Sequence, residues 1–201
     1  SFFIMILYNS MTDSADKLNL GCGTFKKPGY VNVDIYSEFK PDVLHDLNKL
    51  PYPFPDNRFE LIEMFHVLEH LDEPLEVIRE LRRISKNNGL VTIKVPHFSR
   101  GFSHPEHKRG FDVSLPYYFN PSFGARYTSD ITLELRTMRL NWFAQPELKK
   151  QVLPAPLYYP ARACGAIINF FANLSPLFCS RVWCFWVGGF DEIEFIFKVK
   201  K

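Results

Sequence analysis

Residues 66–70 read His-Val-Leu-Glu-His. This fits the pattern His-x-x-Glu-His, in which two imidazoles four apart share a helix face and hold zinc for hydrolysis. A zinc-dependent hydrolase is therefore one reading of the chain. A second group of candidate ligands or bases, His97, His104, Glu106 and His107, falls within residues 97–111, HFSRGFSHPEHKRGF. His104 and His107, three apart, could hold a metal. Arg100, Lys108 and Arg109 in the same stretch could pair with a carboxylate or phosphate on a substrate. A mixed His, Lys and Arg loop reads better as a substrate-binding loop than as a metal site.

Other residues suit a nucleotide-like ligand. Gly21-Cys22-Gly23 lets a ligand approach the backbone closely. Asp34 could accept both hydroxyls of a ribose. Asp46-Leu47 could take the edge and face of an adenine. Phe65-His66 and Pro96-His97 complete the set. Each signal is weak alone, and their order and spacing are what make them specific.

These residues need elements that bring them to one edge. Residues 17–21, 30–34, 43–44, 58–65 and 90–95 read as strands, and every group just named follows one of them. In open α/β sheets, ligands bind at the carboxyl ends of the strands. A helix is expected to open with Asp72 as N-cap and Pro74 in its first turn. Leu75, Ile78, Leu81 and Ile84 recur at helical spacing, and Asn88-Gly89 would end it. Three prolines in residues 50–57 exclude a helix there. Residues 131–142 read as a long strand, 154–186 as helices and 190–199 as a last strand. Strands alternating with a helix imply a parallel α/β sheet. Because 58–65 reads as a strand and the helix signals begin only at Asp72, the zinc pattern does not lie within a long helix. No further acidic helix offers a third ligand, so no metal is expected.

At this point the chain resembles the class I S-adenosylmethionine-dependent methyltransferases of the small-molecule type 11 branch. The matching residues are LNLGCG (18–23), YVNVD (30–34), DLNKLPYPFPDNRFELI (46–62), HVLEHL (66–71) and LRRISKNNGLVTIKVPH (81–97). The resemblance implies a Rossmann-like, doubly wound, mostly parallel seven-stranded sheet with an antiparallel last strand. It implies S-adenosylmethionine as cofactor, with Asn19, Gly21, Cys22 and Gly23 at its methionine part, Asp34 and Ile35 at the ribose, Asp46 and Leu47 at the adenine, and Phe65 and His66 beside the sulfonium. His97, Arg100, His104, His107 and Arg109 would face the substrate. His97, and next His66, would be the catalytic base, since transfer to a hydroxyl must shed a proton. Alignment of the reactants alone can also carry much of such a rate. One departure matters. Only residues 24–29 separate Gly23 from Tyr30, whereas a parallel crossover normally needs a dozen or more residues. The helix usual at that place is reduced to a turn.

The expected acceptor is a small molecule, sugar or glycan, or lipid-linked compound. The rivals are the zinc hydrolase and a non-catalytic methyltransferase-like binding module. A net charge of +2 gives no electrostatic case for nucleic acid. Cys22, Cys164, Cys179 and Cys184 form no Cys-x-x-Cys pair and suit a reducing cytoplasm. Residues 163–180 carry no charge; core or pocket-lid packing is expected, with peripheral membrane contact through 163–187 as the alternative. In 201 residues, one domain over 17–201 is expected. Residues 96–130 and 150–187 would be substrate-side insertions, and 1–16 an N-terminal extension.

Overall fold

The computed structural model describes residues 15–101, 104–119 and 132–201. Seven strands form one sheet in the order β3-β2-β1-β4-β5-β7-β6. They are β1 Lys17–Leu20, β2 Val31–Asp34, β3 Val43–Leu44, β4 Phe59–Phe65, β5 Ser85–Pro96, β6 Leu133–Asn141 and β7 Glu192–Val199. β7 runs antiparallel to both of its neighbours, and the pairs among the first five strands are parallel. This is the Rossmann-like arrangement expected. The apolar strands supply most of the core, with Leu18, Leu20, Val33, Ile62, Met64, Ile93 and Phe195 fully buried. Asp16 also belongs to this unit, because its carbonyl accepts from the Glu60 amide at 2.8 Å.

Helix α1, Pro74–Ile84, turns Ile78, Leu81 and Ile84 inward as expected; Val77 is buried with them, whereas Leu75 is only partly buried. Its N-cap is Glu73 rather than Asp72, and no side chain caps it. Its end also differs from expectation. The chain leaves the helix at Ser85 and enters β5 directly, so Asn88-Gly89 lies within that strand. Pairing of Ser85 with Phe59, and a register shift before Leu61, outweigh the local turn signal. A Cβ on Gly89 would come within 3.2 Å of the Glu60 and Phe59 carbonyls, which explains the glycine.

Between β1 and β2 the chain forms turns only. Buried amides replace the usual helix. Asn19 Nδ2 donates to the Phe25 carbonyl (3.1 Å) and to Asn32 Oδ1 (3.0 Å). Asn32 Nδ2 reaches the Lys27 and Tyr30 carbonyls and the Asp42 carboxylate, and Asn32 Oδ1 accepts the Lys27 amide. Two strand side chains therefore satisfy a loop whose backbone would otherwise lack partners.

After β6 come α2 (Pro146–Val152), α3 (Ala155–Ala172) and α4 (Pro176–Arg181). The expectation that residues 163–180 pack as core or lid is only partly met. Gly165, Ala172, Cys179 and Ser180 are buried, but Ile167, Phe170, Phe171, Leu177 and Phe178 are exposed, as are Phe185 and Trp186 beyond them. None of the described helices is long and apolar enough to cross a membrane. Of the expected insertion at 96–130, residues 102–103 and 120–130 lie outside the described residues, as does the extension through residue 14.

Candidate active site

The carboxyl ends of β1, β2 and β4 meet at a cavity of about 350 Å³ lined by Gly21, Gly23, Asp34, Ile35, Asp46, Leu47, His66 and Val67. Gly21 (φ 68°) and Gly23 (φ 46°) both adopt left-handed backbone. A Cβ on Gly21 would lie 2.2 Å from Val67 Cγ2, whereas one on Gly23 would meet nothing within 4 Å. The first glycine permits close packing under the turn. The second leaves space that a ligand can fill. The turn is fixed because the Gly21 and Cys22 amides both donate to the Val33 carbonyl at 2.9 Å.

Asp34 is 6% exposed, and its two oxygens accept the Gly23 amide at 2.8 Å and the Tyr36 amide at 3.0 Å. Each oxygen keeps a further lone pair for a ligand. Asp46 Oδ1 accepts the Asn48 amide. Asn19, by contrast, spends its side-chain amide on the loop. Burial raises the Cys22 thiol, with the Asp34 carboxylate adding to it, so Cys22 is a protonated lining group and not a nucleophile.

A second cavity, of about 590 Å³, shares Gly21 and His66 with the first. Its walls include Cys22, Phe25, Lys27, Phe65, Lys94, Phe143 and Glu192. Phe65 stands here with His66, with the Lys27 and Lys94 ammonium groups 4.3 and 4.9 Å from its ring centroid. A third cavity, of about 540 Å³, is lined by His66, Phe98, Arg100, His107, Lys149 and Asp191. His66 therefore borders all three.

His66 sits at φ 55°, a conformation uncommon outside glycine, which aims its ring across the sheet end. Nε2 lies 2.8 Å from Glu192 Oε2, and Nδ1 lies 3.6 Å from Glu69 Oε1. Burial would lower this imidazole, but the Glu192 hydrogen bond and the two nearby carboxylates outweigh it and raise it to about 9. His66 is a cation at neutral pH, so it cannot accept a proton there. Glu192 is held low against its burial by His66 and Lys94. No sequence pattern joined these two residues, which lie 126 positions apart. The available signal was an acid, Glu192, at the start of the last strand.

His97 is fully buried and lines none of these three cavities. Its Nδ1 accepts the Ser99 amide at 3.3 Å, which leaves Nε2–H to donate to Ser180 Oγ at 2.8 Å; Ser180 in turn donates to Asp112. Burial lowers it to about 4. The expectation of a catalytic base at His97 is overturned by this packing: it is a neutral strut between β5 and α4. Arg100 spends its guanidinium on Asp191 (2.6 Å) and on the Trp142 and Gly188 carbonyls. Lys108 pairs with Asp72 at 2.5 Å, and Arg109 donates to the Asp72 carbonyl. Arg100 and Arg109 thus hold the wall in place, and any substrate contact would compete with those bonds. His104 and His107 instead gather around His70, with ring centroids 5.9 and 4.9 Å from it. The zinc-peptidase geometry also fails, because Leu68–His70 is a single 3-10 turn and His66 precedes it. His66 and His70 do not share a helix face.

Residues 18–93 match the model of a methyltransferase domain family. An uncharacterized methyltransferase of Schizosaccharomyces pombe is 43% identical over 42 residues, which is 21% of this chain and 15% of that protein. A SAM-dependent methyltransferase from Archaeoglobus fulgidus superposes with a TM-score of 0.51 at 18% identity, covering 98% of this chain and 91% of its own. A phosphoethanolamine N-methyltransferase of Haemonchus contortus, solved with S-adenosyl-L-methionine, gives 0.52 at 15% identity, covering 100% of this chain and 52% of that one. Over residues 18–93 the chain is therefore similar to the methyltransferase domain family, and its fold is the one those solved methyltransferases share.

The cavity at Gly23 and Asp34 suits S-adenosylmethionine on its own geometry. The open space at Gly23 receives a ligand backbone, Asp34 offers paired acceptors to a ribose diol, and Asp46 with Leu47 offers an acceptor beside an apolar face. That cofactor supplies a methyl group activated by its sulfonium. The chain's own residues, Gly23, Asp34, Asp46 and Leu47, would hold and orient it, and the cation of His66 is neutralised by Glu192 and Glu69 rather than left beside another positive centre.

Proposed function

We propose that this methyltransferase transfers the methyl group of S-adenosylmethionine to a small-molecule, sugar or glycan, or lipid-linked acceptor held in the 590 Å³ cavity. The observation that carries the reading is the sharing of Gly21 and His66 between that cavity and the one bearing Asp34. An acceptor there lies next to the cofactor site, which is what in-line transfer requires. Its wall combines Phe25, Phe65, Phe143 and Leu148 with Lys27, Lys94 and Glu192, so it fits a molecule with an apolar body and polar substituents.

Exposed aromatics favour the lipid-linked member of that set. Phe143, in the acceptor wall, packs against Tyr158 of α3 at 5.8 Å, and Phe98, in the third cavity, lies 6.3 Å from Phe185. Phe170, Phe171, Phe178, Phe185 and Trp186 are exposed within residues 170–186, and of them Phe185 adjoins the third cavity through Phe98. A patch of this kind suits peripheral contact with a membrane or a lipid tail.

The test is calorimetric titration with S-adenosylmethionine, followed by transfer of labelled methyl to water-soluble and lipid extracts. Binding together with label in an extracted acceptor is expected. Folded protein that binds no cofactor would sink the reading.

A further inference from the structure

Glu69 is an anomaly that methyl transfer does not absorb. Its side chain is completely buried, and among the described residues neither carboxylate oxygen has a hydrogen-bond partner. A buried acceptor left unmatched costs about 1–3 kcal/mol, and more if charged. His66 Nδ1 stands at 3.6 Å and His107 Nε2 at 3.8 Å, both beyond hydrogen-bond length.

Two imidazoles flank this carboxylate. His70 Nδ1 lies 3.1 Å from the Glu106 carbonyl, and His107 Nδ1 lies 2.5 Å from the Gly101 carbonyl. A carbonyl only accepts, so each Nδ1 must carry the proton. In the neutral ring, Nε2 is then left with a lone pair. This is the arrangement that orients metal-bound histidines. One donor atom from each of Glu69, His70 and His107 lies within 4.8 Å of the others. The loop carrying His107 is tied down beside Glu69, because the Lys108 amide donates to the Glu69 carbonyl at 3.0 Å and its ammonium binds Asp72. Serving as one counter-charge of the His66 cation leaves both Glu69 oxygens without a hydrogen bond and does not account for two tautomer-fixed imidazoles beside them.

We propose that Glu69, His70 and His107 form a binding site for a borderline divalent transition-metal ion of the zinc type. Two imidazoles and one carboxylate are a donor set that such ions take with a position left open. The ion would match both Glu69 oxygens and lock the loop against the turn Leu68–His70. His70 lines the cofactor-side cavity and His107 lines the third, so the open position lies between them. Water would complete the coordination there, and the site does not depend on the methyl-transfer reading.

The test uses tag-free full-length protein stripped with a chelator and titrated with Co²⁺, followed by absorption spectroscopy, with Zn²⁺ as competitor. One Co²⁺ per chain with visible ligand-field bands, displaced by Zn²⁺, is expected. Glu69→Gln and His107→Ala should each weaken binding by more than about a hundredfold, since even loss of an outer partner costs 10–100-fold. His104→Ala, beside the trio but outside it, should bind normally. No stoichiometric binding, or equal binding by Glu69→Gln and His107→Ala, would overturn the site. Cofactor titration of the same stripped protein reports separately on the methyltransferase reading: S-adenosylmethionine binding without Co²⁺ binding removes the metal site and leaves that reading intact.

Discussion

The Gly23 amide donates to Asp34 Oδ2 at 2.8 Å. This bond joins the turn after β1 to the end of β2, so one carboxylate both shapes the glycine turn and faces the cofactor cavity. Asp34→Asn keeps the shape but weakens the acceptors. A hydrogen bond to a charged group contributes about 1.5–3 kcal/mol, so S-adenosylmethionine should bind about ten- to a hundredfold more weakly. Asp34→Ala should abolish measurable binding while the protein remains folded. Calorimetry with circular dichroism on both variants decides it, and undiminished affinity in Asp34→Ala would remove Asp34 from the site.

Asn32 should matter to stability more than its small side chain suggests. It supports residues 27–30 and Asp42 in place of a helix. Asn32→Ala strands the Lys27 amide and removes a donor from Asp42, at a cost of about 2–4 kcal/mol for two or more lost buried bonds. Urea unfolding would show the midpoint drop. A change under about 0.5 kcal/mol would mean that water replaces the amide and that the network is incidental.

The strand ends were legible because α/β sheets place ligands there, and Gly21, Gly23, Asp34, Asp46 and Leu47 all line the expected cavity. The reduced crossover was legible from chain length alone. Two kinds of feature were not. The end of α1 was misread because Asn88-Gly89 is a strong local turn signal, whereas the pairing of Ser85 with Phe59 is a tertiary fact. The roles of His66 and His97 depend on burial and on partners such as Glu192 and Ser180, which lie 126 and 83 positions away. An imidazole at a strand end reads alike in sequence whether it faces a cleft or a core.

His97 predicts a pH dependence of stability. An unfolded imidazole titrates near 6.5, and burial lowers this one to about 4, with Asp112 opposing the shift and Arg100 adding to it. Between those values the unfolded chain binds a proton that the folded chain refuses. The contribution is therefore complete above about 6.5 and is lost as pH falls toward 4, on the order of 3 kcal/mol in all. His97→Gln can still bond to the serines but does not titrate. Its urea-unfolding free energy should fall less steeply over this window than that of the wild type. Parallel slopes would show that the acid sensitivity resides in other groups.

The contact of Gly21 with Val67 yields the sharpest substitution. A methyl group at Gly21 would sit 2.2 Å from Val67 Cγ2, and the backbone there is left-handed at φ 68°. Gly21→Ala thus meets both a clash and a strained conformation, together about 2–4 kcal/mol. Val67 lines the cofactor cavity, so the clash has to be relieved by moving the wall that the ligand touches. S-adenosylmethionine binding should be lost along with stability. Adding Val67→Ala removes the clash and leaves the strain. The double variant should therefore recover part of the stability and a measurable fraction of the affinity. If it recovers neither, the cost of Gly21→Ala lies in the backbone conformation, and Val67 is only a bystander to the turn.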